Sequence, residues 1–270
     1  MITKTIIKSL APPILGLVYR KLFRKNMFFR GNYTWKEAAK KSTGFHYIEI
    51  LNRVKASARK VKEGKAAYER DGVLHKRIDY SWPVLACLKN VALRSDNCLH
   101  LIDFGGSLGT SYFQNRKFLK SLSLKWYVVE QTHYVDCGKE EFENEHLKFE
   151  HTIEDVLKKE NINCLLVSGS IQYLENPVEY FEKFKNQRFE YIIFDRTSFI
   201  DHNTRLAIQM VPASIYPASL PCWFFNETEF INHFIDQYEL VADFDSTDGS
   251  TWSSDNKKMY WKGFFFRLRT

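Results

Sequence analysis

The sequence lacks the cysteine pattern of a disulfide framework or a zinc site. Its five cysteines, at positions 87, 98, 137, 164 and 222, are odd in number and widely separated, with no Cys-x-x-Cys pair and no nearby histidine at ligand spacing. Disulfide scaffolds and structural zinc sites both need such spacing. We therefore expect no metal site, and we interpret Cys87, Cys98 and Cys164 as small buried hydrophobic residues.

Long hydrophobic runs are also missing. The apolar stretch from Leu10 to Tyr19 is interrupted by Pro12 and Pro13 and is shorter than the roughly 20 residues that a membrane span needs. It has no small-residue cleavage signature and continues into a basic run, which argues against an exported signal peptide. We therefore expect a cytoplasmic protein.

Acidic residues are missing from residues 1–30, which hold seven lysines and arginines. The net charge of the chain is +7, so residues 31–270 are formally neutral and the basic excess belongs to this N-terminal arm. Nucleic-acid proteins carry basic residues on the folded body, so we expect no nucleic-acid partner. The arm indicates either peripheral contact with an anionic membrane or packing on the body or on a second subunit.

Apolar residues make up 44% of the chain and recur throughout it, as in a packed globular protein. Residues 31–96 predict a helical cap. Apolar residues recur at helical spacing between Thr43 and Gly64, a connector follows at 66–72, and a second helix is expected at Trp82–Leu93.

From residue 97 onward, short apolar runs alternate with helices, which is typical of a parallel sheet with crossover helices. The predicted strands are Cys98–Phe104, Trp126–Glu130, Leu147–His151, Cys164–Ser168 and Tyr191–Asp195. The predicted helices are Asn115–Ser121, Pro177–Asn186 and Glu227–Tyr238.

Two further segments complete the organisation of the chain. The proline-rich stretch Val211–Pro221 predicts a long ordered loop. Two closing strands, Leu240–Phe244 and Gly263–Arg269, are expected to form an antiparallel hairpin joined by the polar loop Ser246–Asn256.

A glycine-rich turn, Asp103-Phe104-Gly105-Gly106-Ser107-Leu108-Gly109, follows the first of these strands. Glycines let the backbone approach a ligand closely. Glu130 ends the next strand 21 residues after Gly109, where a carboxylate can accept hydrogen bonds from both hydroxyls of a ribose. Asp103 would repel a pyrophosphate and suits a cationic amino-acid group, so the turn favours S-adenosylmethionine over a dinucleotide.

Several segments resemble a family of class I S-adenosylmethionine-dependent methyltransferases associated with bacterial surface-polysaccharide (O-antigen or capsule) gene clusters. They are residues 68–71, 103–109, 126–131, 168–174, 195–197 and 209–212. The resemblance implies a Rossmann-like α/β fold in which residues 97–270 bind the cofactor. It also implies a sugar, nucleotide sugar or lipid-linked saccharide as methyl acceptor.

The residues expected to bind the cofactor follow the ends of the first four strands. They are Asp103, Gly105, Gly106, Ser107, Gly109, Glu130, Gln131, Thr152, Ile153, Ser168 and Gly169. Two positions depart from the usual methyltransferase pattern, because Ser107 replaces a glycine and no aspartate follows the third strand to meet the adenine.

Asp195 is the candidate general base, with His133 and His202 as alternatives. A strand-end acid can also be the structural partner of a neighbouring arginine, and that interpretation of Asp195 stays open. Two other functions stay open as well: an NAD-dependent sugar-modifying oxidoreductase or epimerase, and a catalytically silent membrane-associated scaffold on the same fold.

Overall fold

The computed structural model describes residues 28–29, 33–43, 47–211, 218–253 and 255–270. The predicted arm of residues 1–30, apart from Phe28–Phe29, lies outside the described residues, as does the centre of the predicted Val211–Pro221 loop. The described helices are α1 (Trp35–Lys41), α2 (Tyr47–Lys62), α3 (Trp82–Arg94), α4 (Thr110–Leu119), α5 (Thr132–Glu141), α6 (Ile153–Leu157), α7 (Pro177–Asn186) and α8 (Glu227–Asn232). Among them, none is both long and apolar enough to cross a membrane.

The described strands belong to three sheets. They are β1 (Phe28–Phe29), β2 (Tyr68–Arg70), β3 (Val73–His75), β4 (Cys98–Phe104), β5 (Ser123–Val129), β6 (Leu147–Glu150), β7 (Cys164–Ser168), β8 (Tyr191–Ile200), β9 (Arg205–Met210), β10 (Ser219–Phe224), β11 (Tyr238–Trp252) and β12 (Lys258–Leu268).

A seven-stranded sheet in the order β11-β12-β8-β7-β4-β5-β6 forms the centre of the fold. Strands β4 to β8 are parallel, and the antiparallel pair β12 and β11 closes the sheet beyond β8. The expected Rossmann-like α/β fold, a mostly parallel sheet with a C-terminal antiparallel hairpin, is therefore confirmed.

Apolar side chains alternate between the two faces of this sheet, as parallel strands covered on both sides require. Leu101, Trp126 and Leu166 face a core shared with α2, α3, α4 and α5. On the opposite face, Ile102 and Leu165 belong to a core shared with α6, α7 and α8. Helices α2 and α3 of residues 31–96 thus cover the first of these faces, whereas α1 packs on β9 and β10.

The predicted connector at 66–72 is not a plain loop, because it contains the hairpin β2-β3. Its two-residue turn is Asp71-Gly72, with φ of 52° and 73°. Asp-Gly is a preferred pair for the tight hairpin turn in which both central residues have positive φ. The dipeptide was therefore a usable sequence signal for this hairpin.

The predicted polar loop Ser246–Asn256 is wrong for most of its length. Strand β11 continues to Trp252 through a bulge between Asp245 and Ser250, and only a short turn separates it from β12. Likewise β8 runs five residues beyond Asp195, because β12 pairs with that extension. The added residues of β11 are mostly polar and exposed, whereas residues 197–200 of β8 are buried.

Other predicted bounds also change. The helix expected to start at Asn115 starts at Thr110, and the one expected to reach Tyr238 ends at Asn232. Residues 219–221, predicted as loop, begin β10, which pairs with β9 in a second, antiparallel sheet with β1. This sheet was not predicted because its strands are short and meet across a long loop.

Gly138 of α5 packs directly on Phe149 of β6, so this contact tests how α5 covers the sheet. A Cβ at position 138 would lie 2.4 Å from the Phe149 ring. Gly138→Ala, ordinarily stabilising inside a helix, should therefore lower the free energy of unfolding by about 1–3 kcal/mol, as overpacked cores do. Urea unfolding measures this change.

Phe149→Leu supplies the matched control. In that background the same Gly138→Ala change should cost less, because the smaller side chain leaves room for the added methyl group. A Gly138→Ala protein that is more stable than the native one would contradict this packing.

Candidate functional site

The carboxyl ends of the parallel strands meet at one edge of the central sheet. Phe104 of β4 pairs with Val129 of β5, and Ser168 of β7 pairs with Asp195 of β8. By the alternation of side chains, Asp103, Ser168 and Asp195 lie on the face that α2 to α5 cover. The sheet therefore brings together acids that lie up to 92 residues apart in the sequence.

The turn after β4 has the backbone that its glycines allow. Gly105, Ser107 and Gly109 have φ of 73°, 55° and 87°. A Cβ at Gly106 would lie 2.5 Å from Cγ of Asp103, so only glycine fits above that carboxyl group. Ser107, which replaces the usual glycine, fits in the turn. It adopts the left-handed conformation, which costs energy in a residue with a side chain.

Gly105 packs against the turn after β7. A Cβ at this position would lie 2.4 Å from Cβ of Ser170, whose hydroxyl donates a hydrogen bond to the Phe104 carbonyl (2.8 Å). A larger residue at 105 would therefore displace this turn as well as any ligand. Substitution of Gly105 is for that reason a poor test of ligand binding.

Asp103 is 1% exposed and lies beneath the turn. Its Oδ2 accepts a hydrogen bond from Nε1 of Trp126 (3.0 Å), whereas Oδ1 has no partner among the described residues. Burial raises the pKa of Asp103 to about 7. A buried carboxyl group with a free oxygen can accept a hydrogen bond from a cationic group, which would favour its ionised form.

Glu130 is half-buried and faces the same turn. Its Oε1 accepts a hydrogen bond from the Ser107 amide (3.3 Å), and its Oε2 accepts one from the amide of Gln131 (2.8 Å). Burial raises its pKa as well. The Gln131 side chain is exposed at the start of α5, beside this carboxylate.

The residues that follow β6 contribute fewer available side chains to this edge of the sheet. The hydroxyl of Thr152 caps α6 by accepting a hydrogen bond from the Asp155 amide (3.1 Å), and the Ile153 side chain is 1% exposed in the core. These two predicted cofactor residues therefore have side chains engaged in the fold.

Asp195 is held by the turn after β7. Its Oδ2 accepts a hydrogen bond from Oγ of Ser168 (3.0 Å), and its carbonyl accepts one from the Gly169 amide (2.9 Å). Its Oδ1 has no partner among the described residues, and burial raises the pKa of the carboxyl group. Arg196 makes its hydrogen bond to Asp248 instead (2.7 Å), so Asp195 is not bonded to its neighbouring arginine.

The two candidate histidines are placed apart from Asp195. His133 lies in the first turn of α5, three residues after Glu130 and on the other side of β4 and β7 from Asp195. His202 is exposed beyond the end of β8, and its carbonyl accepts a hydrogen bond from the side chain of Asn226. The structure thus groups His133 with Glu130, and His202 with the segment before α8.

A charged cluster that the sequence did not predict covers the Asp195 end of this edge. Arg70 of β2 and Arg196 of β8 both bind Asp248, at 3.1 and 2.7 Å, and Asp248 lies in the bulge of β11. Arg196 also lies 3.5 Å from Asp71. Although burial opposes it, the Arg196 charge lowers the pKa of Asp248.

Glu69 of the same hairpin was also missed. It is 3% exposed, its Oε1 accepts a hydrogen bond from the hydroxyl of Thr110 at the start of α4, and burial raises its pKa to about 7. The segment 68–71 stood out in the sequence only as part of the family resemblance. Its run of charged residues beside an Asp-Gly turn was the signal that it belongs to a site.

Two further aromatic residues are buried. Tyr68 and Phe224 offer little ring surface to a sugar, because they are 3% and 0% exposed. Within the described ranges, no group of histidine, cysteine, aspartate and glutamate side chains could hold a metal ion. Two surface clefts, of about 470 and 400 Å³, are lined by other residues than the turn and Glu130.

The residues of the edge fit a ligand with a cationic amino-acid part and a ribose. The free oxygen of Asp103 suits a hydrogen-bond donor, and the Glu130 carboxylate can accept from two hydroxyls. Because only glycine fits at position 106 beside Asp103, the turn has no side chain there that would block a ligand.

Comparisons with known proteins concern the fold. No family model and no curated protein match the sequence. The chain is similar to the N-terminal domain of EvdMO1, solved in the presence of SAH and D-fucose, with 11% identity, coverage of 83% of this chain and 98% of that one, and a TM-score of 0.47.

Two further solved structures are similar at comparable levels. The 1,6-didemethyltoxoflavin-N1-methyltransferase of Burkholderia thailandensis, with S-adenosylhomocysteine bound, shares 9% identity over 84% of this chain and 92% of that one, with a TM-score of 0.42. An S-adenosylmethionine-dependent methyltransferase of Clostridium acetobutylicum shares 10% identity over 69% and 92%, with a TM-score of 0.41.

The raised pKa of Asp103 predicts a pH-dependent stability. The folded value of about 7 lies above the ordinary 3.8 of an unfolded aspartate, so the free energy of unfolding falls as pH rises from about 4 to about 7. Asp103→Asn removes this contribution. Between pH 5 and 8 the variant should lose less stability in urea unfolding than the native protein, by at least about 1.4 kcal/mol, the equivalent of one pKa unit.

Asp155→Asn is the control for this measurement. Asp155 is half-buried and its pKa is lowered by hydrogen bonds from Thr152 and Lys158, so its loss should not reduce the fall in stability at higher pH. Equal pH dependence in the native and Asp103→Asn proteins would contradict the buried position of Asp103.

The left-handed conformation of Ser107 predicts a stabilising substitution. Ser107→Gly should raise the free energy of unfolding by about 1 kcal/mol, because glycine adopts a φ of 55° without steric cost. Ser111→Gly, within α4, should instead lower it by about 0.5 kcal/mol. A loss of stability in both variants would show that Ser107 is not strained.

Proposed function

We propose that this chain is an S-adenosylmethionine-dependent methyltransferase that acts on a sugar, nucleotide sugar or lipid-linked saccharide in surface-polysaccharide synthesis. The observation that carries the proposal is the convergence of the Asp103 and Glu130 carboxyl groups on one glycine-rich turn at the carboxyl edge of the sheet. Ligands of open α/β sheets bind at this edge.

Each residue of the turn has a role in holding the cofactor. Glu130 accepts hydrogen bonds from the ribose hydroxyls, and the free Oδ1 of Asp103 accepts one from the amino-acid part. Gly105, Gly106, Ser107 and Gly109 let the ligand lie against the backbone. When bound, the cofactor supplies an electrophilic methyl group on a cationic sulfur, which the acceptor attacks directly without a covalent enzyme intermediate.

Asp195 is the proposed base. Its Oδ1 has no hydrogen-bond partner among the described residues, and burial raises the pKa of its carboxyl group, which makes the carboxylate a stronger proton acceptor. Ser168 and Gly169 hold the carboxyl group and its backbone in place. Its position in β8, beside Ser168 at the end of β7, favours it over His133 and His202.

The chemistry of the free polar atoms supports a hydroxyl-rich acceptor. Gln172, 2% exposed, donates a hydrogen bond to the Arg196 carbonyl while its Oε1 has no partner among the described residues. Together with Asp195 it leaves two buried oxygens that need donors. A saccharide supplies such donors, whereas a purely apolar acceptor would leave both oxygens unsatisfied.

Calorimetric titration of the purified protein with S-adenosylhomocysteine, with NAD as control, tests the class of cofactor. Binding of S-adenosylhomocysteine alone is the expected result. Binding of NAD alone would favour the oxidoreductase or epimerase alternative, and binding of neither would favour the catalytically silent scaffold.

Glu130→Ala tests the placement of the ribose. Affinity for S-adenosylhomocysteine should fall by roughly 1–3 kcal/mol, the range for deleting a charged hydrogen-bond partner. The loss should vanish for an analogue that lacks both ribose hydroxyls. Asp195→Asn is the control and should leave both affinities unchanged, and an equal loss for both ligands in Glu130→Ala would show that Glu130 acts elsewhere.

A further inference from the structure

We propose that an exposed aromatic cluster on the helical layer, formed by Tyr80, Trp82 and Phe118, docks the protein on an anionic membrane surface. This inference does not depend on methyl transfer. It concerns residues of the folded body, separate from the arm of residues 1–30.

The three rings form one continuous apolar surface. Trp82 is 58% exposed at the start of α3, and Phe118 is 40% exposed near the end of α4. Tyr80 touches both, with ring centroids 4.9 Å from Trp82 and 5.2 Å from Phe118, and Trp82 lies 5.6 Å from Phe118. Large aromatic side chains grouped on a surface mark interaction sites, unlike single exposed ones.

The cluster has a fixed backbone beneath it. The side chain of Gln114 in α4 donates a hydrogen bond to the carbonyl of Asp79, which joins the segment before α3 to α4. The rings therefore project from two tied elements, and docking would order few additional residues.

Basic residues flank the rings on both segments. Lys76 and Arg77 precede Tyr80, Lys117 and Lys120 lie on either side of Phe118, and all four are exposed. Asp79 is the acid within the same two stretches, 76–82 and 116–120. Lysines and arginines near an anionic lipid surface attract it, and tryptophan and tyrosine favour the headgroup region.

The ring geometry favours a lipid surface over single-stranded nucleic acid. Phe118 meets Tyr80 at 76° and Trp82 at 68°, both edge-on contacts. The rings thus pack against one another as a compact wedge. Nucleobases stack on open ring faces, whereas a wedge of this kind inserts at the boundary of headgroups and acyl chains.

Phe118 lies at the opposite end of α4 from the proposed cofactor turn. Phe118 follows Gly109 by nine residues along α4, which is about 13 Å at the rise of an α-helix. Because α4 runs from the carboxyl edge of the sheet back toward Ser123, where β5 begins, docking would leave that edge facing away from the end of α4 that carries Phe118.

Co-sedimentation of the full chain with lipid vesicles tests the proposal. The vesicles contain phosphatidylcholine and about 40 mol% phosphatidylglycerol, an anionic lipid content that attracts basic patches. Native protein should bind these vesicles at low salt and not pure phosphatidylcholine. Trp82→Ser with Phe118→Ser should weaken binding at least tenfold. The control pair, Leu93→Ser with Val241→Ser, removes two exposed apolar side chains elsewhere and should change it less than twofold.

A second measurement, fluorescence quenching, shows whether Trp82 enters the membrane. Brominated acyl chains should quench the fluorescence of the native protein, and Trp82→Phe should bind with similar affinity but lose most of that quenching. Circular dichroism and urea unfolding would show that the variants fold.

Three results would overturn the proposal. The native protein could fail to bind anionic vesicles, or Trp82→Ser with Phe118→Ser could bind as tightly as the native protein, which would leave docking to the arm. Binding of a single-stranded RNA homopolymer that depends on the same two residues, without vesicle binding, would identify the cluster as a nucleic-acid surface.

Discussion

The parallel register of β4, β5, β7 and β8 is the constraint on which the site depends. It places Phe104 beside Val129 and Ser168 beside Asp195, so the residues that follow each strand arrive at one edge. Because side chains alternate along a strand, the same register also decides which of them share a face. A slip of one residue in β8 would turn Asp195 to the opposite core.

Several energetically unfavourable groups lie at or beside this edge of the sheet. Asp103, Glu69 and Asp195 are buried carboxyl groups whose pKa values are raised, and two of them have an oxygen without a partner among the described residues. Ser107 adds a left-handed backbone at the turn. Unsatisfied and strained groups collect where a ligand completes them, so their grouping here is a physical argument for a binding site.

The sequence predicted those parts of the fold whose signals are local. Cys98–Phe104 and Cys164–Ser168 are mostly apolar runs, and Pro177 marks the start of α7. The structure has all three elements with the predicted bounds. The polar strand β11 was missed beyond Phe244, because its pairing with β12 is a long-range property that alternation alone does not reveal.

Some residues of the candidate site could likewise be predicted from local sequence signals, and others could not. The glycine-rich turn and Glu130 could be predicted, since a short motif and the end of the next strand define them. Arg70, Arg196 and Asp248 could not, because three separate elements bring them together and their spacing in the chain carries no information about it. The Asp71-Gly72 turn was the one local clue to this cluster.

A crystal structure of the protein with S-adenosylhomocysteine tests the central claim most directly. The account predicts the ribose hydroxyls on the Glu130 carboxylate and the amino-acid part over Gly106 and Asp103. It would be contradicted by a ligand bound elsewhere, such as the cleft of about 400 Å³ that Trp223 and His233 line, with the turn unchanged.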